Sequence, residues 1–341
     1  MREFGSNFQP VKTFDSKRAH LTDVFRDAYL LANGRQCIVA LIKQYGWKRI
    51  WMPEYFSVNL IKSIQDRTGI DVVFYQDSPA KEGAIDTLNF TEGDVLFRMN
   101  YFGLRDIRKN KNISVPVIED HSHDPFGHWA LYSDADWCVS SIRKFLPLPE
   151  GGMMWSPKGH KLTIDIGQTE ANESIAKARW EGMEKKARYL DGEDVKKDEY
   201  RGIFDETEEQ LIASELSLID ERSRQFVTEQ LDINLWLGAK RKNWKLLKSL
   251  IRDERCKVLE PEDDSCNMFS LILLYESKNL RDKIRKYLIN KDVYPTVLWE
   301  LSEDCSVEAK DFSERMLSIH CDGRYSEDEV KCLAEIINGS I

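Results

Sequence analysis

What most narrows the fold of this chain is a series of short apolar runs with strand character, alternating with helical stretches through its first half. Arg49 to Met52 is one such run, stopped by Pro53; helical spacing follows from Ser57 to Arg67, and a β-branched and aromatic run from Asp71 to Tyr75. Strand, helix, strand is the βαβ pattern. Asp94 to Met99 and Val115 to Ile118 continue it, each mostly apolar on successive residues, as strands buried on both faces of a largely parallel sheet are. A further run, Trp137 to Ile142, ends in Arg143 and Lys144. Upstream, residues 24 to 45 carry apolar positions at helical spacing, broken at Ala32-Asn33-Gly34-Arg35, which predicts a turn and a new helix starting near Gly34 with Asn33 as its cap. The expected fold class is α/β, with a large, mostly parallel sheet.

From about Glu170 to Asp253 the pattern is helical and rich in charge, and the run Glu181 to Lys197 reads as a solvated face and loop. A second α/β pattern begins at Cys256: strands at Met268 to Tyr275 and Met316 to Cys321, helices at Asn279 to Asn290 and Glu327 to Asn338. These patterns divide the 341 residues into a large α/β domain over residues 1–232, preceded by a polar leader, and a smaller C-terminal α/β domain over residues 233–341. Net charge is −9, so the chain lacks the broad positive field that non-specific nucleic-acid binding depends on. The seven cysteines never fall in a Cys-x-x-Cys pair, which predicts neither a disulfide framework nor a zinc knuckle and points to a reducing, cytoplasmic compartment. The N-terminus has no apolar leader core, and the longest apolar runs, such as Cys37 to Ile42, are far short of the roughly 20 residues a membrane span needs. Neither membrane insertion nor nucleic-acid binding is therefore expected.

In open α/β sheets ligands gather beyond the carboxyl ends of the strands, so the residues that follow each run form a set. Here they are Pro53-Glu54-Tyr55-Phe56, Asn100 to Gly103, Glu119-Asp120-His121-Ser122-His123, and Arg143-Lys144 leading to Glu150-Gly151-Gly152. His121, His123 and His128 with Asp120 and Asp124 invite a metal reading, since His121 and His123 would share a face of an extended segment. No matching distal ligands are evident, and no metal is expected. No Walker loop and no Gly-x-Gly-x-x-Gly turn follows a strand.

The order of these motifs resembles that of the DegT/DnrJ family of fold-type-I aminotransferases that use pyridoxal 5'-phosphate (PLP). The matching pieces are Asn33-Gly34-Arg35 opening a helix, Pro53 to Phe56, Ile118-Glu119-Asp120-x-x-His123, and Lys144 followed by Glu150-Gly151-Gly152. Arg241-Lys242-Asn243-Trp244 and Leu317-Ser318-Ile319-His320 are similar to later family segments. The Arg-Lys-x-Leu-Pro form around Lys144 resembles a side branch of the family. The resemblance implies a fold-type-I PLP transferase, with a large sheet domain and a smaller C-terminal domain, working as a homodimer.

It also implies roles. Lys144 would be the catalytic amine that condenses with the PLP aldehyde and shuttles the proton; Asp120 would face the pyridine nitrogen and His123 the phenolic oxygen. Gly34, Arg35 and the pair Ser140 and Ser141 would hold the phosphate, and Phe56, or alternatively Tyr55, would stack on the ring. The implied reaction moves an amino group from an amino-acid donor, glutamate in the family, to a keto-sugar, commonly nucleotide-linked. Departures are visible: Asn33-Gly34-Arg35 stands where Ser-Gly-Thr is frequent, and Val139-Ser140-Ser141-Ile142-Arg143 where Ser-Phe-His-Pro-Thr is. Glu199-Tyr200-Arg201 is only a loose counterpart of the segment that a neighbouring subunit contributes. Two alternatives stand beside this reading: a PLP enzyme of another reaction type, and a non-catalytic binding or regulatory protein on the same scaffold.

Overall fold

The computed structural model describes residues 3–11 and 19–340, so part of the polar leader lies outside it. In chain order the elements are β1 (Phe4–Gly5), α1 (Leu21–Val24), β2 (Tyr29–Leu31), α2 (Gly34–Tyr45), β3 (Arg49–Pro53), α3 (Val58–Thr68), β4 (Asp71–Tyr75), β5 (Asp94–Met99), β6 (Val117–Asp120), α4 (His128–Leu131), β7 (Trp137–Ser140) and β8 (Gly152–Trp155). They continue with α5 (Glu170–Asp191), α6 (Lys197–Ala213), α7 (Glu221–Gln225), α8 (Ile233–Leu250), β9 (Cys256–Val258), β10 (Leu271–Tyr275), α9 (Lys278–Ile289), β11 (Val293–Tyr294), α10 (Val307–Arg315), β12 (Met316–Ile319) and α11 (Glu327–Asn338).

Seven strands form the large sheet in the order β2-β8-β7-β6-β5-β3-β4. The five from β7 to β4 run parallel; β8 pairs antiparallel with β7, and β2 pairs antiparallel with β8 and so runs with the five. Helices α3 and α4 lie in the β3–β4 and β6–β7 crossovers, and β5, β6 and β7 are buried along their whole lengths, as expected for parallel strands covered on both faces. β2 corrects the sequence reading: Tyr29 to Leu31 belongs to the sheet and not to a helix. β8 supplies the other strand that the sequence pattern did not show. The strand expected at Val115 to Ile118 is shifted to Val117–Asp120, because Pro116 has no N–H to give to a ladder and Glu119 and Asp120 are buried despite their charge.

The helices expected between Glu170 and Asp253 are present as α5, α6, α7 and α8. A small antiparallel sheet, β12-β10-β9, packs with α8, α9 and α11 in the C-terminal part. β1 pairs in parallel with β11, carrying the N-terminal segment to the opposite end of the chain. That segment is held by buried ions: Lys186 Nζ lies 2.8 Å from Glu3 and donates to the Gly5 and Asn7 carbonyls. Arg324 donates to the Ser6 and Asn7 carbonyls as well. Lys186 is 1% exposed, so the stretch read as a solvated face turns one cation inward. Tyr200 is also turned inward, donating to Glu3 at 2.8 Å. Among the described residues no helix is long and apolar enough to cross a membrane.

Candidate active site

The site is built at the carboxyl ends of β3, β5, β6 and β7, around the start of α2. Asn33 caps that helix in extended conformation, accepting from the Gln36 N–H at 3.0 Å and donating to the Leu211 carbonyl at 3.1 Å. The capped helix presents the Gly34 and Arg35 N–H groups at its positive end. Gly34 lies so close to the end of β7 that a Cβ there would stand 3.0 Å from Ser141 Cβ and 3.1 Å from its Cα. Gly152 performs the matching service from β8: a Cβ on it would stand 2.2 Å from the Asn33 carbonyl carbon. The Glu-Gly-Gly turn therefore seats the helix start against the sheet. Gly152→Ala is expected to push the two apart, costing about 3 kcal/mol. A lowered thermal midpoint and loss of ligand retention after desalting would show it.

Two adjoining cavities, of about 210 and 200 Å³, share Lys144 and Arg143 as lining residues. The first brings together Gly34, Arg35, Phe56, Asp120, Ser140, Ser141 and Lys144, all but His123 and the alternative Tyr55 of the residues given cofactor roles from sequence. His123 lines the second cavity. Lys144 sits not on the strand itself but on the single tight turn Ile142–Lys144 that follows β7. Burial lowers its ammonium pKa, and Asp120 works in the opposite direction. Asp120 is 6% exposed and accepts from the Ser122 N–H at 2.8 Å; burial raises its carboxyl pKa while Ser122 and Lys144 oppose the rise. A cation beside Asp120 would stabilise its charged form.

Of the two serines, Ser140 turns its hydroxyl to the His121 carbonyl at 3.5 Å. The Ser141 N–H donates to Ser122 Oγ at 2.7 Å, and the Ser141 hydroxyl has no protein partner among the described residues. Phe56 and Tyr55 also separate. Phe56 lines the first cavity, with Trp299 at 5.3 Å between ring centroids, whereas Tyr55 is buried and donates to the Leu298 carbonyl. His123 Nδ1 accepts from the Phe102 N–H at 3.0 Å, which places the ring proton on Nε2; that buried N–H has no partner among the described residues. Burial, and then Lys144 and Lys240, hold its pKa well below the ordinary range, so the ring is neutral.

Positive charge exceeds negative charge around the first cavity. Arg143 and Arg179 converge on one carboxylate, Glu208, at 2.6 and 3.2 Å. Despite burial those two cations hold Glu208 at about 2. Among the described residues Arg35 has no carboxylate of its own and its buried Nε has no partner; burial, then Arg143, push its pKa down to about 10. Arg179, Glu208 and Trp299 were not legible as site residues. They come from α5, α6 and a loop of the C-terminal part, and nothing in their local sequence marks them.

The metal reading changes in detail. The Asp124 N–H bonds to the His121 carbonyl, so the chain turns after β6 and His121 and His123 do not share a face. His128 pairs with Asp106, and His121 instead lies 3.2 Å from Glu119, forming with it and Cys138 a buried group on the other side of the sheet. Cys138 is the distal partner that the sequence pattern did not point to. Arg98, 3.8 Å from Glu119, and Asn110, which donates to it at 2.8 Å, balance and bond that carboxylate within the protein.

No protein-family model matches the chain, and no curated protein matches its sequence. Its three-dimensional structure is similar to solved ones. Helicobacter pylori PseC, an aminotransferase involved in the biosynthesis of pseudoaminic acid, aligns over 99% of each chain at a TM-score of 0.61 and 13% identity. Streptococcus pneumoniae Spr1654, described as a sugar aminotransferase, aligns in its pyridoxamine-phosphate (PMP) form over 92% of this chain and 87% of that one, at a TM-score of 0.61 and 12% identity. In its PLP form the TM-score is 0.60 at 11% identity, over 92% and 86%. The aminotransferase TlmJ of Streptoalloteichus hindustanus aligns over 94% and 89%, at a TM-score of 0.58 and 13% identity. The chain thus has the α/β fold of these aminotransferases, with the large, mostly parallel sheet expected from its sequence.

Proposed function

We propose that this protein is a PLP-dependent aminotransferase that moves an amino group from an amino-acid donor, glutamate, to a keto-sugar, with the sugar nucleotide-linked. The observation that carries the reading is the convergence of Lys144, Asp120, Gly34, Arg35 and Ser141 on one cavity whose unspent groups match the cofactor part by part. Among the described residues, Arg35 Nε and the Ser141 hydroxyl have no protein partner and, with the N–H groups at the start of α2, fit a phosphate. Asp120 is a buried carboxylate short of positive charge, which fits a pyridinium. The orphaned Nε2–H of His123 fits a phenolic oxygen on the second cavity's side.

PLP, when bound, supplies the electron sink for the carbon that gains or loses a proton. The protein's own part follows from its residues. Burial lowers the pKa of Lys144 and so favours the neutral amine, the form in which Nζ would act as nucleophile and proton carrier. Asp120 would keep the ring nitrogen protonated. Arg35, Ser141 and α2 would anchor the phosphate, and Phe56 and Trp299 would flank the site and exclude water. A homodimer in the cytoplasm is the assembly and compartment proposed with this activity. The neighbours' printed roles in sugar-related transamination support the substrate class.

The direct test is the visible spectrum of protein that has been loaded with PLP and desalted, followed by borohydride reduction and peptide mapping. A yellow chromophore trapped on Lys144 is the expected outcome. A colourless protein with no reduced adduct would overturn the catalytic reading and favour a binding protein on this scaffold.

A further inference from the structure

The second cavity has a polarity that the cofactor does not use. Its wall beside Lys144 carries two guanidinium groups, Arg143 and Arg179, while Phe8, Leu148, Phe204 and Phe269 give it an apolar body. Arg179 is only 2% exposed and is fixed from three sides: Nε donates to the Pro149 carbonyl at 2.6 Å, Nη1 donates to Thr207 at 3.2 Å, and the guanidinium lies 5.4 Å over the Phe204 ring. A guanidinium so held is preorganised for a planar anion. Arg143 spends one bond on Glu208, and its buried Nε has no partner among the described residues. Both cations share the one carboxylate, Glu208, which is 39% exposed. One buried and one part-exposed cation that share a single, partly solvated counter-charge among the described residues are under-neutralised, and an added carboxylate relieves that.

Building on the proposed PLP chemistry, we propose that Arg143 and Arg179 are the specificity-determining pair for the amino donor. They receive a carboxylate of an α-amino acid in the second cavity, while Lys144 on the shared wall faces the carbon that bears its amine. Glu208 then acts as a positioning residue. It holds both guanidiniums in place by offering the kind of group that they recognise, and donor binding adds a second carboxylate to the pair. The apolar part of the cavity would take the donor's methylene chain.

The test compares two probes, L-glutamate and 1-aminobutane, an amine with no carboxylate, in the first half-reaction. The readout is loss of the PLP chromophore of the loaded, full-length protein. In Arg179→Gln and, separately, Arg143→Gln, selectivity for L-glutamate over 1-aminobutane is expected to fall about 10- to 100-fold, most of it in the KM for glutamate. Arg143 is part-exposed, so its variant keeps the test open if the Arg179 variant does not fold. Equal losses with both amines, or an unchanged KM for glutamate, would overturn the proposal. Loss of PLP retention in the variants while the wild type stays yellow would overturn it too, by assigning both arginines to the cofactor phosphate. A wild-type protein that takes up no PLP would instead sink the underlying aminotransferase reading.

Discussion

Replacement of Lys144 by alanine is expected to lower transamination by on the order of 10⁴-fold or more, because in the proposed reaction one side chain would serve both as the amine that engages the cofactor and as the proton carrier. The fold should survive. Lys144 stands on a tight turn at the edge of two cavities, makes no ion pair among the described residues, and lies outside the core strands β5, β6 and β7. Far-UV circular dichroism and thermal melting would establish that the variant is folded, and the borohydride-trapped peptide would disappear from the map. Turnover retained by the folded alanine variant would remove Lys144 from its proposed role, and with it the reading of the site.

Asp120→Asn should be the next most damaging change. The amide keeps the size of the carboxyl and can still accept from the Ser122 N–H, which lies 2.8 Å from Asp120 in the native protein, so the turn after β6 is preserved. What is lost is the negative charge at the end of a buried strand. Without it a ring nitrogen has no reason to stay protonated, and the electron sink weakens. A drop in kcat on the order of 10²- to 10⁴-fold is expected, with the chromophore retained but shifted. The sign of the charge effect also runs through Lys144: Asp120 now raises the lysine pKa, so the asparagine variant should have a more depressed lysine and a rate optimum moved toward lower pH. An unchanged kcat, or an optimum moved toward higher pH, would show that Asp120 does not couple to the reacting centre.

These residues were visible in sequence because each stands at or just beyond the end of an apolar run with strand character, although the run before Asp120 is shifted so that Asp120 closes β6. Asp71–Tyr75 and Asp94–Met99 have the bounds that the pattern predicts, and Glu327–Asn338 begins behind the capping serine Ser326. The helix starting at Gly34 behind its Asn33 cap was legible for the same local reason. The antiparallel edge was not. Tyr29–Leu31 is three residues long and its apolar spacing is also that of a helix, while Gly152–Trp155 begins in a glycine turn. Arg179 and Glu208 read as ordinary charges on the long helices α5 and α6, and only their tertiary placement turns them toward Arg143. Lys186 shows the same limit: the charge that pattern assigns to solvent is buried against Glu3, whose position depends on the far end of the chain.

The N-terminal strap has a consequence for how the protein is made. Gly5 donates to the Tyr325 hydroxyl across 320 residues of sequence, and Phe4–Gly5 pairs with Val293–Tyr294. During synthesis the large sheet has all its strands once residue 155 has emerged, so the cradle around Gly34 and Ser141 can form early. The wall that Ser6, Asn7 and Phe8 give to the second cavity is fixed later, first by Lys186, which reaches the Gly5 and Asn7 carbonyls, and then by Arg324 and Tyr325. The segment around Phe4 thus gains its full set of partners only after the large sheet is in place, and the cavity beside Lys144 is completed after the cradle it adjoins.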